Sequence, residues 1–120
     1  MLYCKAGMPI VFILARDWPL RVLLRAELRE RGVQAIGMQT AAEVGTRIAS
    51  GDMPSVVVLE ASQDVELGLE SLARRVPFVV VASGSEQDAW PAAATTVLHR
   101  PVRIAEVVAA VLDHLRGRPA

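Results

Sequence analysis

The sequence predicts a single α/β domain in which one parallel sheet is covered by helices on both faces. Three observations predict it. Short apolar runs rich in β-branched residues recur at Pro9–Ala15, Ser55–Glu60 and Pro77–Ala82, and their continuity is that of strands buried on both faces. Longer stretches with apolar residues at helical spacing separate them, so strand and helix alternate along the chain. The length, 120 residues, is that of one domain with a core of its own. Residues 1–120 are therefore read as one domain, with a core over about 9–116.

The first run, Pro9–Ala15, is followed by a helix that Pro19 opens, where its missing N–H costs nothing. Leu20, Leu23, Leu24 and Leu28 fall on one face of that helix, and Arg21, Arg25 and Arg29 form a solvated stripe. Glu27 can pair with Arg31 four residues on, and Gly32 stands where a C-terminal cap belongs. Val33–Met38 reads as a short second strand. Thr40-Ala-Ala-Glu43 reads as a capping box, and the helix behind it carries Val44 and Ile48 and ends near Gly51. Gly45 inside that helix costs about 1 kcal/mol relative to Ala; a close backbone approach is one reason to keep it.

Ser55–Glu60 is the third strand. Val65, Leu69, Leu72 and Val76 mark a third helix, with Glu70 and Arg74 spaced as an i,i+4 pair. Pro77–Ala82 is the fourth strand. Ser85 can cap a helix there, but Pro91 breaks the pattern after Trp90, so a short or interrupted helix is expected. Thr95–Leu98 is the fifth strand. The last helix has a full apolar stripe of Ile104, Val107, Val108, Val111, Leu112 and Leu115, and Gly117 and Pro119 end it. Five βα units joined by right-handed crossovers lead to the flavodoxin-like, doubly wound (βα)5 arrangement with strand order 2-1-3-4-5.

Such sheets present their ligands beyond the carboxyl ends of the strands. The residues at those ends are Arg16, Asp17 and Trp18 after the first strand, Glu60 at the third, Ala82 and Ser83 at the fourth, and His99 and Arg100 at the fifth. Two acids and two guanidiniums thus converge on one edge. A surface ion-pair network explains them, and so does a ligand or regulatory site.

Several chemistries are set aside. No glycine-rich loop follows the first strand, so dinucleotide and P-loop readings fail. There is no Gly-x-Ser-x-Gly elbow. His114 lies on a partly exposed face of the last helix, and strand alternation points His99 away from Arg100. Cys4 precedes the first strand and is the one cysteine, which excludes an intramolecular disulfide and a multi-cysteine metal site. Thirteen acids balance 13 bases, against a general nucleic-acid or polybasic membrane binder. No apolar run approaches the roughly 20 residues of a membrane span, and no signal peptide is evident, so a cytoplasmic protein is expected. Arginine outnumbers lysine 12 to 1, which suggests a GC-rich bacterial genome.

With these residues in place, the chain resembles the receiver domain of two-component response regulators over about Pro9 to Leu115. Ile13–Leu28 resembles that family's first strand, acidic loop and first helix. Pro54–Glu60 resembles the strand leading to the phosphoacceptor, Pro77–Ala82 the strand leading to the switch hydroxyl, and Leu98-His-Arg-Pro101 the turn with its basic residue and proline, here Pro101. The resemblance implies two Mg²⁺-binding acids, an acceptor Asp, a Ser or Thr and a Lys. At those positions stand Arg16, Asp17, Glu60, Ala82 and Arg100, so only Asp17 matches. Val97 stands where the family often has an aromatic residue, and the stretches Glu60–Ala82 and Ala82–Arg100 are shorter than usual.

Each departure has a consequence. Mg²⁺ needs oxygen ligands in a near-octahedral array, and Arg16 removes one and adds positive charge; weak or absent Mg²⁺ binding is expected, with Asp17 and Glu60 the ligands if any. Arg16 could take over the metal's electrostatic role by pairing with Glu60 or Asp17. Glu60 is one methylene longer than Asp and poorly placed for in-line attack. Ala82 has no hydroxyl, and Ser83 next to it points to the opposite face. Arg100 keeps the charge and adds a fork suited to a carboxylate.

The expected function is a degenerate receiver, or pseudo-receiver, with no catalytic residue and no cofactor, acting through phosphorylation-independent contact with an unidentified protein partner. A homodimer is one alternative assembly, and neither direct nucleic-acid nor membrane contact is expected. Two other functions stand beside it: a receiver that still accepts phosphate at an atypical site, and a small-anion or nucleotide-binding module with Arg16 and Arg100 as a clamp. Trp18 and Trp90 are interface candidates, with packing against neighbouring loops as the alternative.

Overall fold

The computed structural model describes residues 8–61, 69–82 and 96–117. Five strands, β1 (Ile10–Leu14), β2 (Gln34–Met38), β3 (Val56–Glu60), β4 (Phe78–Ala82) and β5 (Thr96–His99), form one sheet in the order β2-β1-β3-β4-β5. Every neighbouring pair is parallel, with Val11 opposite Ala35 and Val56, Val57 opposite Phe78, and Ala82 opposite His99. This is the doubly wound order expected from the sequence. The helices are α1 (Trp18–Glu30), α2 (Ala41–Ala49), α3 (Glu70–Ala73) and α4 (Ile104–Leu115).

Strand alternation divides the core into two layers. Val11, Ile13, Val56, Val58, Val79 and Val81 face α1 and α4, where Leu24, Leu28, Val107, Val108 and Val111 cover them. Phe12, Leu14, Val57, Leu59, Phe78 and Val80 face the other side, against Val44, Leu69, Leu72 and Val76. Strands buried on both faces are therefore apolar along their buried length, with Glu60 at the end of β3 the one charged residue, which is why β1, β3 and β4 were legible as continuous runs.

The helix ends follow the sequence signals. Gly32 (φ +82°) and Gly51 (φ +103°) occupy the left-handed position after α1 and α2. At both, the N–H of the next residue reaches back to the helix, from Val33 to the Leu28 carbonyl and from Asp52 to the Arg47 carbonyl, each at 3.1 Å. The Thr40–Glu43 capping box forms as expected. The Glu27–Arg31 pair forms at 3.6 Å.

Four expectations need correction. Leu23 does not join the buried face of α1; it is 55% exposed, because the face is set by Leu20, Leu24 and Leu28 alone. Arg21 is not a freely solvated member of the arginine stripe: its Nη1 donates to the Ala15 carbonyl at 2.7 Å. Gly45 answers to no close approach, since a Cβ there would meet nothing within 4 Å. The close approach lies at Gly37 of β2, where a Cβ would sit 3.0 Å from Arg21 Cγ. Finally, the described part of the third helix is one turn long, and Val76 is buried from the turn that follows, with its N–H on the Leu72 carbonyl at 3.0 Å. Cys4, Val65, Ser83, Ser85, Trp90, Pro91, Thr95 and Pro119 lie outside the described residues.

Candidate functional site

The carboxyl ends of β1, β3 and β5 bring three charged side chains together. The turn after β1 leaves the sheet at Arg16 and enters α1 through Asp17. Asp17 has extended backbone (φ −64°, ψ 105°), and its Oδ1 accepts the Leu20 N–H at 3.3 Å. It therefore caps α1, a role that sequence reasoning missed although an Asp two residues before Pro19 is a recognisable start signal. Its other oxygen, Oδ2, accepts from Arg100 Nη2 at 2.9 Å.

Glu60 is the last residue of β3, and both of its oxygens are engaged. Oε1 accepts the backbone N–H groups of Arg16 at 2.8 Å and Asp17 at 3.0 Å. Oε2 accepts from Arg100 Nη2 at 3.1 Å. The added methylene carries the carboxylate across to the β1 turn, where it ties the ends of β1 and β3 together. Arg100 thus bridges two carboxylates through one nitrogen, and all three side chains are roughly one-fifth to two-fifths exposed. In this half-solvated setting charge-assisted hydrogen bonds outweigh the bare Coulomb attraction, which water screens.

Arg100 is anchored in turn by its backbone, whose N–H donates to the Ala82 carbonyl at 2.8 Å. The Arg100–Pro101 peptide is cis. Ala82 is buried and contributes this carbonyl, but no side-chain polar group, to the cluster. Arg16 is exposed and reaches the cluster with its backbone N–H. His99 is exposed on the sheet edge. His114 shares a 2.8 Å hydrogen bond with the Thr96 hydroxyl, which pins α4 to β5 away from the charged cluster. Trp18, beside the cluster, is 63% exposed. Val97 is also exposed, at 40%.

No helix among the described residues is long and apolar enough to cross a membrane.

No family model matches the sequence, and no curated protein matches it. Solved structures do match in shape. A response regulator receiver protein from Sinorhizobium medicae superposes with a TM-score of 0.75 at 16% identity, over 94% of this chain and 98% of that one. A response regulator receiver protein from Burkholderia phymatum gives 0.71 at 21% identity, over 93% and 98%. The BeF3-activated receiver domain of nitrogen regulatory protein C gives 0.73 at 23% identity, over 92% and 96%. Sheet order, crossover pattern and near-complete mutual coverage agree: this chain has the fold of the response regulator receiver domains.

Proposed function

We propose that this domain is a receiver-like signalling module in which a permanent ion-pair cluster replaces the phosphorylation site, and that it acts by contact with a protein partner. The observation that carries the reading is the engagement of Glu60. Its Oε1 holds two backbone N–H groups and its Oε2 holds Arg100. An acceptor carboxylate must present a free oxygen in line with a phosphoryl donor, and here the nearest cation is already bonded to it.

The residues present also fit Mg²⁺ poorly. Two carboxylates, Asp17 and Glu60, converge, with a guanidinium between them. A hard cation that needs oxygen on nearly all sides would have to displace Arg100 and find further oxygens. Among the described residues no group of three acidic, histidine or cysteine side chains surrounds a common point. Arg100 therefore supplies the positive charge, without exchange.

Ala82 supports the same reading from the output side, because it has no hydroxyl to follow a phosphoryl group. The exposed Trp18, one residue from the cluster, offers the aromatic surface that partner contacts favour. The anion-clamp alternative is weakened because Arg100 is committed to two carboxylates.

The test is intact-mass measurement after incubation with Mg²⁺ and a small acyl-phosphate donor, beside an ordinary receiver. The expected result is no adduct on this chain while the control gains one phosphoryl group. An adduct mapping to Glu60 would overturn the proposal in favour of an atypical but working acceptor.

A further inference from the structure

A second concentration of arginine lies along the β2 edge of the sheet, lined by residues other than those of the receiver-like cluster. A cavity of about 310 Å³ opens between α1 and the outer strand β2. Four of its lining residues are arginines, Arg21, Arg25 and Arg29 from α1 and Arg47 from α2, and none is acidic. The chain as a whole carries no net charge, so this is a local excess.

The three α1 arginines stand four residues apart, so they form a row with steps of about 6 Å along the helix. Arg21 is held in place by its bond to the Ala15 carbonyl and by the room Gly37 leaves for its stem. Arg47 is paired with Asp52 at 3.2 Å, and Glu43 lies close enough to feel Arg21. Among the described residues Arg25 and Arg29 have no carboxylate partner. Gln34, at the start of β2, adds a neutral amide to the wall.

Like charges gathered around a concavity repel one another, and an anion relieves that repulsion. Guanidiniums are suited to phosphate oxygens, which they bind by two parallel N–H bonds. The volume falls at the small end of the range for small-molecule sites. A row of charges in a small cavity matches an anion with several charges in line better than a compact single ion. An extended acidic peptide would present a carboxylate about every 6.6 Å along the row, but a cavity of about 310 Å³ is the size of a small-molecule site and not of a strand-binding groove.

We infer that the α1–β2 cavity is a binding site for an oligophosphate, with Arg25 and Arg29 as its principal ligands and Arg21 and Arg47 supporting them. Nucleotides and free phosphate chains share that chemistry.

The same arginines could instead serve to keep the open edge of β2 from pairing with another copy. Calorimetric titration of the full chain separates the two roles, using sodium tripolyphosphate, ATP, orthophosphate and an oligoglutamate as probes at matched ionic strength. Tripolyphosphate is expected to bind at least about tenfold more tightly than orthophosphate. The double variant Arg25→Gln/Arg29→Gln is expected to lose at least about tenfold in that affinity. The charge-matched variant Arg103→Gln/Arg116→Gln, altered at exposed positions outside the cavity, is expected to keep it. Tighter binding of ATP than of tripolyphosphate would identify a nucleotide site, and equal binding a phosphate-chain site. No tripolyphosphate binding, equal losses in both double variants, or binding of oligoglutamate alone would overturn the inference.

Discussion

Arg100 and the α1 arginines meet opposite electrostatic surroundings on the same sheet. At the carboxyl ends of the strands, one guanidinium bridges Asp17 and Glu60, and the backbone of the β1 turn donates to Glu60. Charge there is matched within the molecule. At the β2 edge, Arg25 and Arg29 face a cavity without an acid in its wall. A matched cluster is a structural element, whereas an unmatched one awaits a counter-charge from outside. Resemblance to receivers draws attention to the first region, but the second is the one with unspent binding capacity.

Charge reversal gives the largest contrast. Arg100→Glu would set a third carboxylate beside two others and is expected to cost about 2 kcal/mol in urea unfolding. Arg25→Glu removes repulsion and is expected to stay within about 0.5 kcal/mol of the parent chain. Equal losses at the two sites would erase the distinction between them.

A double-mutant cycle sharpens it. Glu60→Gln keeps an acceptor oxygen for the Arg16 and Asp17 N–H groups but removes the charge facing Arg100, so a loss of about 1 kcal/mol is expected. Combined with Arg100→Ala, the losses should fall short of additive, because both substitutions break the same bond. Additive losses would show that the Arg100–Glu60 contact contributes nothing to stability. Partner binding measured on these variants tests whether the cluster also shapes the contact surface.

The smallest effect lies next to the cavity, at Glu43. The backbone N–H groups of Gln39 and Thr40, donating to Oε1 at 2.6 and 3.0 Å, hold its carboxyl below the usual value of 4.5, with Arg21 adding to them. A lowered carboxyl pKa stabilises the fold at pH values above 4.5, and that contribution fades as pH falls through the folded-state value. Glu43→Gln is therefore expected to lose no more than about 1 kcal/mol at neutral pH, with the difference from the parent shrinking toward pH 3. Urea unfolding across that range measures it. A constant difference would mean that Glu43 acts through packing and not through its charge.

The strands show how the sequence announces some elements and not others. β1, β3 and β4 are buried on both faces, so every residue in them except Glu60, at the half-buried end of β3, is apolar and the run is unmistakable. β2 and β5 are edge strands only partly buried, Gln34-Ala-Ile-Gly-Met38 and Thr96-Val-Leu-His99, and their pattern is correspondingly weak. Leu23 misled because helical spacing defines a face about as wide as the packing allows, and the width is set by the neighbours. Arg21 misled because its partner, the Ala15 carbonyl, and its seat, Gly37, belong to other elements.

The same division holds for the site. Alternating strand and helix patterns determined the doubly wound topology, because parallel strands need crossovers and crossovers have one hand. That topology brings the ends of β1, β3 and β5 to a common edge, and so Asp17, Glu60 and Arg100 were readable as neighbours from their positions alone. Only the tertiary structure decided which atoms meet: that Glu60 reaches back to the β1 turn, that Asp17 divides its two oxygens between a helix cap and Arg100, and that three arginines spaced along one helix line a cavity. Periodicity reports which face a residue is on, but hydrogen bonds and cavities depend on ångström-scale approach between elements distant in the chain, and no local pattern encodes that.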